Sequence, residues 1–195
     1  MTDAWLPVQN LNTPILQQHR RFLSVYDPDF LRRVEAESAS ENLVMQNHNG
    51  LFRVRSSPEG PWIFGEHDPW QELQQIKDEL RRVVQKNQLL VLLGSANGYV
   101  LTVLLPLFLR EKDWRILLLE PSAARVLAVL ALVDLRDGWN TGRFHFDIQE
   151  PGVQGILASL DRFNLWNFPD PALYVAPALR PGPDAAAWLE QYAQR

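Results

Sequence analysis

The sequence contains no cysteine among its 195 residues. It therefore cannot form a disulfide framework, a thiolate zinc site or a cysteine nucleophile. Basic residues are not in excess either: 19 Lys and Arg stand against 23 Asp and Glu, for a net charge of -4 at pH 7. A nucleic-acid-binding domain is expected to carry a basic excess, so no nucleic acid partner is predicted. The four histidines lie too far apart in the sequence to indicate a local metal motif.

Signals for secretion and for membrane insertion are also lacking. The N-terminus carries Asp3 and no basic stretch followed by an apolar run, so we predict a cytoplasmic protein. Residues 87–109 are uncharged and long enough to cross a membrane. However, glycine and polar residues interrupt this segment at positions 94–98, and Pro106 follows. A buried strand, a turn and a buried helix explain it better, and no membrane contact is predicted.

From residue 69 onwards, apolar strands alternate with helical patterns. Continuous apolar runs are typical of strands that are covered on both faces. Alternation of this kind predicts right-handed βαβ units, and therefore an α/β fold with a Rossmann-like, largely parallel sheet flanked by helices. The predicted strands are Leu89–Leu93, Arg115–Leu119, Arg143–Asp147 and Ala172–Ala176. The predicted helices are residues 69–85, 99–109, 123–133, 153–163 and 185–194.

The residues before this alternation are predicted to form an N-terminal annex of helices and a β-hairpin. Apolar residues at three- and four-residue steps predict helix over residues 11–36, interrupted at Asp27–Pro28. Asn49–Gly50 separates two short alternating runs, 42–47 and 51–56, which is a strong hairpin signal. A loop rich in Ser, Pro and Gly follows. The predicted domains are 1–60 for the annex and 61–195 for the Rossmann-like domain.

Two features at predicted strand ends form the candidate ligand site. In open α/β sheets, ligands bind outside the carboxyl ends of the strands. A glycine turn follows the first apolar strand, where backbone N–H groups and a helix N-terminus can receive an anion. An acidic residue ends the next strand, where a carboxylate can accept hydrogen bonds from a ribose diol. The candidate ligand-binding residues are Gly94, Ser95, Ala96, Asn97, Gly98, Tyr99 and Glu120.

Alternative interpretations of this turn remain open. Ala96 stands where G-x-G-x-x-G has its second glycine, and no P-loop sequence is present. S-adenosylmethionine-dependent methyltransferases usually carry an acid two residues before the first glycine, where this chain has Leu92. The glycines can instead make a tight strand–helix connection with no ligand, and Glu120 can cap the next helix. The pair His67–Asp68 could supply an acid and a base, but Asp68 is better explained as a helix cap.

Four short motifs resemble one family of large bacterial proteins. They are the helix start Asp68–Glu72, the strand and turn Leu89–Tyr99, the strand end Ile116–Pro121 and the segment Leu132–Leu135. In this order they resemble the N-terminal domain of the motility accessory factor family, which is associated with flagellin glycosylation. The resemblance covers most of residues 20–195. Two positions depart from the family pattern, because Ala96 replaces a glycine and Val100 replaces a histidine.

The resemblance implies a Rossmann-like domain that is not catalytic on its own, because the family's transferase chemistry is expected in a larger following domain. The chain then resembles either such an N-terminal domain or a stand-alone relative. The implied ligand is a nucleotide or nucleotide sugar at the turn. The implied protein partner is flagellin or a following catalytic domain. No catalytic residue, metal or cofactor is identified. The alternatives are a methyltransferase and a protein-interaction module with an empty glycine turn.

Overall fold

The computed structural model describes residues 5–48, 51–84, 89–95, 98–108, 114–148, 153–168 and 171–176. It has an α/β fold with two four-stranded sheets. The first sheet is antiparallel and belongs to the N-terminal region. Its strands, in spatial order, are β1 (Leu6–Pro7), β2 (Val44–His48), β3 (Leu51–Arg55) and β4 (Trp62–Phe64).

The predicted hairpin is confirmed by the pairing of β2 with β3. The two strands are antiparallel, and His48 lies opposite Leu51 at the end of the ladder. The connecting residues Asn49–Gly50 lie outside the described residues. Strand β4 pairs with β3, so residues 62–64 complete the N-terminal sheet although they follow the predicted domain boundary at residue 60.

The predicted helical region of residues 11–36 consists of two helices, α1 (Pro14–Tyr26) and α2 (Pro28–Ser38). A single residue, Asp27, separates them. Its side chain accepts a hydrogen bond of 3.0 Å from the Phe30 amide and so caps α2, as the Asp–Pro sequence indicates. Both helices pack against the helix Ala123–Leu132, which lies in the central part of the chain.

The second sheet is parallel and confirms the predicted Rossmann-like architecture. Its strands are β5 (Leu89–Leu93), β6 (Arg115–Leu119), β7 (Phe144–Asp147) and β8 (Ala172–Val175), in the spatial order β7-β6-β5-β8. The helices of this part are α3 (Pro69–Val84), α4 (Tyr99–Phe108), α5 (Ala123–Leu132), α6 (Arg136–Asn140) and α7 (Val153–Arg162). The short helix α6 was not predicted. The predicted helix at residues 185–194 lies outside the described residues.

Both faces of the parallel sheet are covered, which explains why its strands are apolar throughout. Leu90 and Leu92 belong to a core that also contains residues of α4, α5 and the annex. Their neighbours Leu89, Val91 and Leu93 point to the opposite face and pack with residues of α7. Within the uncharged segment 87–109, the described residues include the strand β5 and the helix α4. No helix within the described ranges is both long enough and apolar enough to cross a membrane.

A buried histidine joins α1 to the α5–α6 connection. His19 is 0% exposed, and its Nδ1 lies 2.7 Å from the Leu130 carbonyl oxygen. The Leu135 amide donates to its Nε2 at 3.2 Å. Because Nε2 accepts this bond, the ring is neutral and carries its proton on Nδ1. Burial lowers the pKa of His19, which outweighs the nearby Asp134 carboxylate and a hydrogen bond to Leu130.

We predict that His19 makes folding stability depend on pH. Its folded-state pKa lies below the unfolded value of about 6.5, so the unfolded chain binds more protons in the interval between them. The contribution is full above about pH 7 and is lost as the pH falls, with a slope of at most about 1.4 kcal/mol per pH unit. Urea unfolding from about pH 7.5 to 5 measures it. The variant His19→Gln is expected to be less stable at pH 7.5 and to show a flatter slope, and equal slopes would contradict the assignment.

Candidate functional site

The turn after β5 adopts the left-handed backbone that its glycines allow. Gly94 has a φ of 81° and Gly98 a φ of 88°, a region that side-chain-bearing residues rarely occupy. The Gly94 amide donates to the Leu119 carbonyl at 2.8 Å, and the Gly98 amide donates to the Ser95 carbonyl at 2.8 Å. Of the predicted site residues, the structure describes all except Ala96 and Asn97. The hydrogen bond from Gly94 to Leu119 attaches this turn to the end of β6.

Glu120 lies beside this turn, as predicted, but its carboxylate is bound by the protein itself. It is 0% exposed. Its Oε2 accepts hydrogen bonds of 2.9 Å from both the amide and the hydroxyl of Ser95. Its Oε1 lies 3.0 Å from Nε of Arg125, although the two atoms are not aligned for a hydrogen bond. Burial raises the pKa of Glu120, whereas Arg125 and Ser95 favour the ionised form.

The helix that follows β6 is capped by other residues than Glu120. Ser122 is its N-cap and accepts a hydrogen bond of 3.1 Å from the Arg125 amide. The carboxylate of Glu41, from the segment before β2, accepts a 3.0 Å hydrogen bond from the Ala124 amide and a bond from the Ser122 hydroxyl. A carboxylate of the annex therefore occupies the anion position at the N-terminus of α5. Sequence reasoning missed Glu41, because no local pattern links it to residue 122.

Gly98 and Tyr99 connect the turn to two other parts of the fold. A Cβ atom on Gly98 would lie 2.5 Å from Cγ2 of Val133, so glycine lets α4 begin close to the end of α5. The Tyr99 hydroxyl accepts a hydrogen bond from the Phe52 amide of β3. Its ring contacts Phe64 of β4 at a centroid distance of 4.7 Å. Burial raises the pKa of Tyr99 to about 12. Both residues therefore hold elements together.

The third strand end carries a carboxylate that was not predicted as a site residue. Asp147, at the end of β7, is 1% exposed. It accepts hydrogen bonds from the Ser159 hydroxyl at 3.0 Å and from Arg162 at 2.9 Å. Arg162 also bonds Asp27 at 3.1 Å. The sequence signal that could have identified Asp147 is its position as the last residue of a predicted strand with alternating residues.

The pair His67–Asp68 does not form an acid–base site. Asp68 accepts a hydrogen bond of 2.9 Å from the Trp70 amide at the start of α3, which confirms the predicted cap. His67 beside it is exposed. In the part of the chain that the structure describes, no three His, Asp or Glu side chains come together in a way that could hold a metal ion.

The fold and the bonding of its strand ends define a Rossmann-like α/β domain with an N-terminal annex. No family model and no curated protein matches the sequence. Among solved structures, the chain is similar to the MAf glycosyltransferase from Magnetospirillum magneticum AMB-1, with a TM-score of 0.62 and 18% sequence identity. The match covers 92% of this chain and 34% of that chain, so the chain spans about a third of that protein. The resemblance predicted from the four motifs is thereby confirmed at the level of the fold.

Proposed function

We propose that this chain is an accessory, non-catalytic domain of a protein-glycosylation system of the motility accessory factor kind. The observation that carries the proposal is the state of the carboxylates at the carboxyl ends of β6 and β7. Glu120 and Asp147 are buried and bonded to Ser95, Ser159 and Arg162. A general acid or base must come within hydrogen-bond reach of a substrate, and these two groups face only protein.

The similarity to one third of a MAf glycosyltransferase supports the same proposal. In a protein of that length, most of the chain lies outside the matched region and can hold the transferase chemistry. The domain then positions a following catalytic domain or an acceptor protein such as flagellin. The Gly94–Tyr99 turn and Glu120 serve in this proposal as a joint that holds β5, β6 and the annex hairpin together.

A second candidate function is recognition of a nucleotide or nucleotide sugar at the turn. It is favoured by the positive φ angles of Gly94 and Gly98 and by the N-terminus of α4 that follows them. Binding of a ribose to Glu120 would require breaking its hydrogen bonds to Ser95, since the carboxylate is fully buried. The methyltransferase alternative requires the same displacement by S-adenosylmethionine.

Titration calorimetry of the full chain with S-adenosylmethionine, nucleotides and nucleotide sugars tests the proposal. We expect no saturable heat with any of them, because the carboxylate that would hold a ribose is bonded to Ser95. Any ligand that binds is titrated again into Glu120→Gln and into Glu59→Gln, a control at an exposed carboxylate. Binding that Glu120→Gln weakens at least about tenfold, or 1.4 kcal/mol, and that Glu59→Gln leaves unchanged would overturn the proposal in favour of ligand recognition.

A further inference from the structure

The outer face of the N-terminal sheet carries two arginines beside a tryptophan. Met45 and Val54 lie opposite each other on β2 and β3 and are both 0% exposed, so their face of the sheet meets the core. Side chains alternate along a strand, and Arg53 and Arg55 therefore lie on the other face, where both are partly exposed. Trp62 of β4 lies opposite Arg55 and shares this face.

Stacking and backbone carbonyls hold the two arginines in place. The Cζ atoms of Arg53 and Arg55 lie 4.2 Å and 4.0 Å from the centroid of the Trp62 ring. Arg53 also donates hydrogen bonds of 2.5 Å and 2.8 Å to the carbonyls of Gly65 and Glu66. Arg55 donates one of 2.9 Å to a carbonyl of the β3–β4 loop. These contacts orient both planar guanidinium groups before any partner binds.

The positive charges of this pair are not compensated. Among the residues that the structure describes, no carboxylate forms an ion pair with Arg53 or Arg55. This holds for the acids nearest to them in the sequence, Glu59 and Glu66, which are exposed. A guanidinium group has five N–H donors and no acceptor. Nε of Arg55 is buried without a hydrogen-bond partner in the described part of the chain. The pair therefore keeps unused donors and its full charge.

We propose that this face of the sheet binds an acidic, extended segment of a protein partner, with one carboxylate on each arginine. The two arginines are two residues apart on one strand, or about 6.8 Å. Alternate side chains of an extended peptide have the same spacing, so acids at positions i and i+2 match the pair. A guanidinium group binds a carboxylate with two parallel hydrogen bonds.

The aromatic residues beside the arginines fit a protein partner. Trp5 lies next to Trp62 at a centroid distance of 5.7 Å and widens the surface. Trp and Arg are the residues that most often dominate the binding energy of protein interfaces. The proposal rests on the proposed function in one respect, that the partner of this domain is a protein, and adds the chemistry that this partner presents.

Titration calorimetry of the full chain with a blocked hexapeptide of alternating Glu and Gln tests the proposal. We expect saturable binding with a Kd of roughly 10–500 μM. A blocked hexapeptide of alternating Ser and Gln is the neutral control and should not bind. Because the chain has a net charge of -4, general attraction does not explain binding of an acidic peptide. The absence of saturable heat at about 2 mM acidic peptide would overturn the proposal.

Paired variants locate the binding. Arg53→Gln combined with Arg55→Gln should raise the Kd at least about tenfold. Arg81→Gln combined with Arg82→Gln removes the same charge at exposed positions of α3 and should leave the Kd unchanged. Replacing Arg53 and Arg55 by Lys keeps the charge and the stems but not the paired donors, and should raise the Kd about threefold even if the Gln variant does not fold. Equal weakening by the Arg81 and Arg82 variant, or none by the Lys variant, would overturn the proposal.

Competition separates an acidic protein segment from other anions. Inorganic phosphate and heparin are added to the complex with the acidic peptide, and we expect neither to displace it at an equal concentration of anionic groups. Displacement by either would overturn the proposal in favour of that anion. Failure of peptide binding leaves the titrations with nucleotides and nucleotide sugars unaffected, so it is distinguishable from failure of the proposed function.

Discussion

Glu120→Ala is expected to lower the free energy of unfolding by about 3–5 kcal/mol. The substitution removes the acceptor of two hydrogen bonds from Ser95 and the carboxylate that neutralises Arg125. The Arg125 side chain is 13% exposed, so water replaces little of the lost interaction. Removing one partner of a buried pair is far more destabilising than replacing both, because a charge is left without compensation. Urea unfolding at pH 7 measures the loss.

Two variants separate the cause of this loss from mere removal of atoms. Glu120→Gln keeps an acceptor for Ser95 and is expected to lose less than Glu120→Ala. Replacing both Glu120 and Arg125 by Met removes the charges together and should recover much of the stability. A Glu120→Ala protein within about 0.5 kcal/mol of the original would contradict the joint proposed for this residue. That result would favour the alternative in which Glu120 serves a ligand.

Gly98→Ala is expected to cost about 2–5 kcal/mol through two separate effects. The residue has a φ of 88°, which an L-residue with a side chain adopts only under strain. In addition, the new Cβ would lie 2.5 Å from Cγ2 of Val133, a β-branched residue with few rotamers to choose from. The beginning of α4 or the end of α5 must then shift. Thermal and urea unfolding both report the change.

Gly142→Ala is the matched control for the backbone effect. Gly142 has a φ of 62°, but an added Cβ meets no atom within 4 Å. Its substitution should therefore cost only the strain part, about 1 kcal/mol. Adding Val133→Ala to the Gly98→Ala variant should remove the steric clash and recover the stability lost through it. A double-mutant cycle gives the coupling energy between the two positions. Equal losses for Gly98→Ala and Gly142→Ala would show that the contact with Val133 is unimportant.

The Glu120 and Gly98 variants together bear on the proposed function. The sequence predicts both positions as ligand-binding residues, and the structure gives each of them a contact inside the protein. If their substitution lowers stability and no ligand shows binding heat with the original protein or the variants, the turn acts as a joint. If it abolishes binding of a nucleotide sugar while the chain stays folded, the turn acts as a ligand site. The two outcomes are distinguishable because unfolding and binding are measured on the same variants.

Periodicity and local sequence alone determined most of the elements of this fold. The apolar run Leu89–Leu93 predicts a strand buried on both faces, because each side chain of a strand faces the side opposite to its neighbour's. The caps at Asp27 and Asp68 could be predicted because a cap bonds an amide only two or three residues away. The glycine turn and the acid at the end of the next strand were found for the same reason: each is a short pattern next to a strand.

Only the tertiary structure decided what those candidate residues bond to. Glu41 caps a helix that begins more than 80 residues later, and Tyr99 bonds the amide of Phe52 in another sheet. Strand β4 follows the predicted boundary but joins the annex sheet, and β8 pairs with β5 rather than with its predecessor β7. Such contacts depend on which surfaces meet when the chain becomes compact, and local spacing carries no record of them. Glu120 is buried by the tertiary structure, so a residue predicted from its position as a ligand acceptor is instead a hydrogen-bond partner of Ser95.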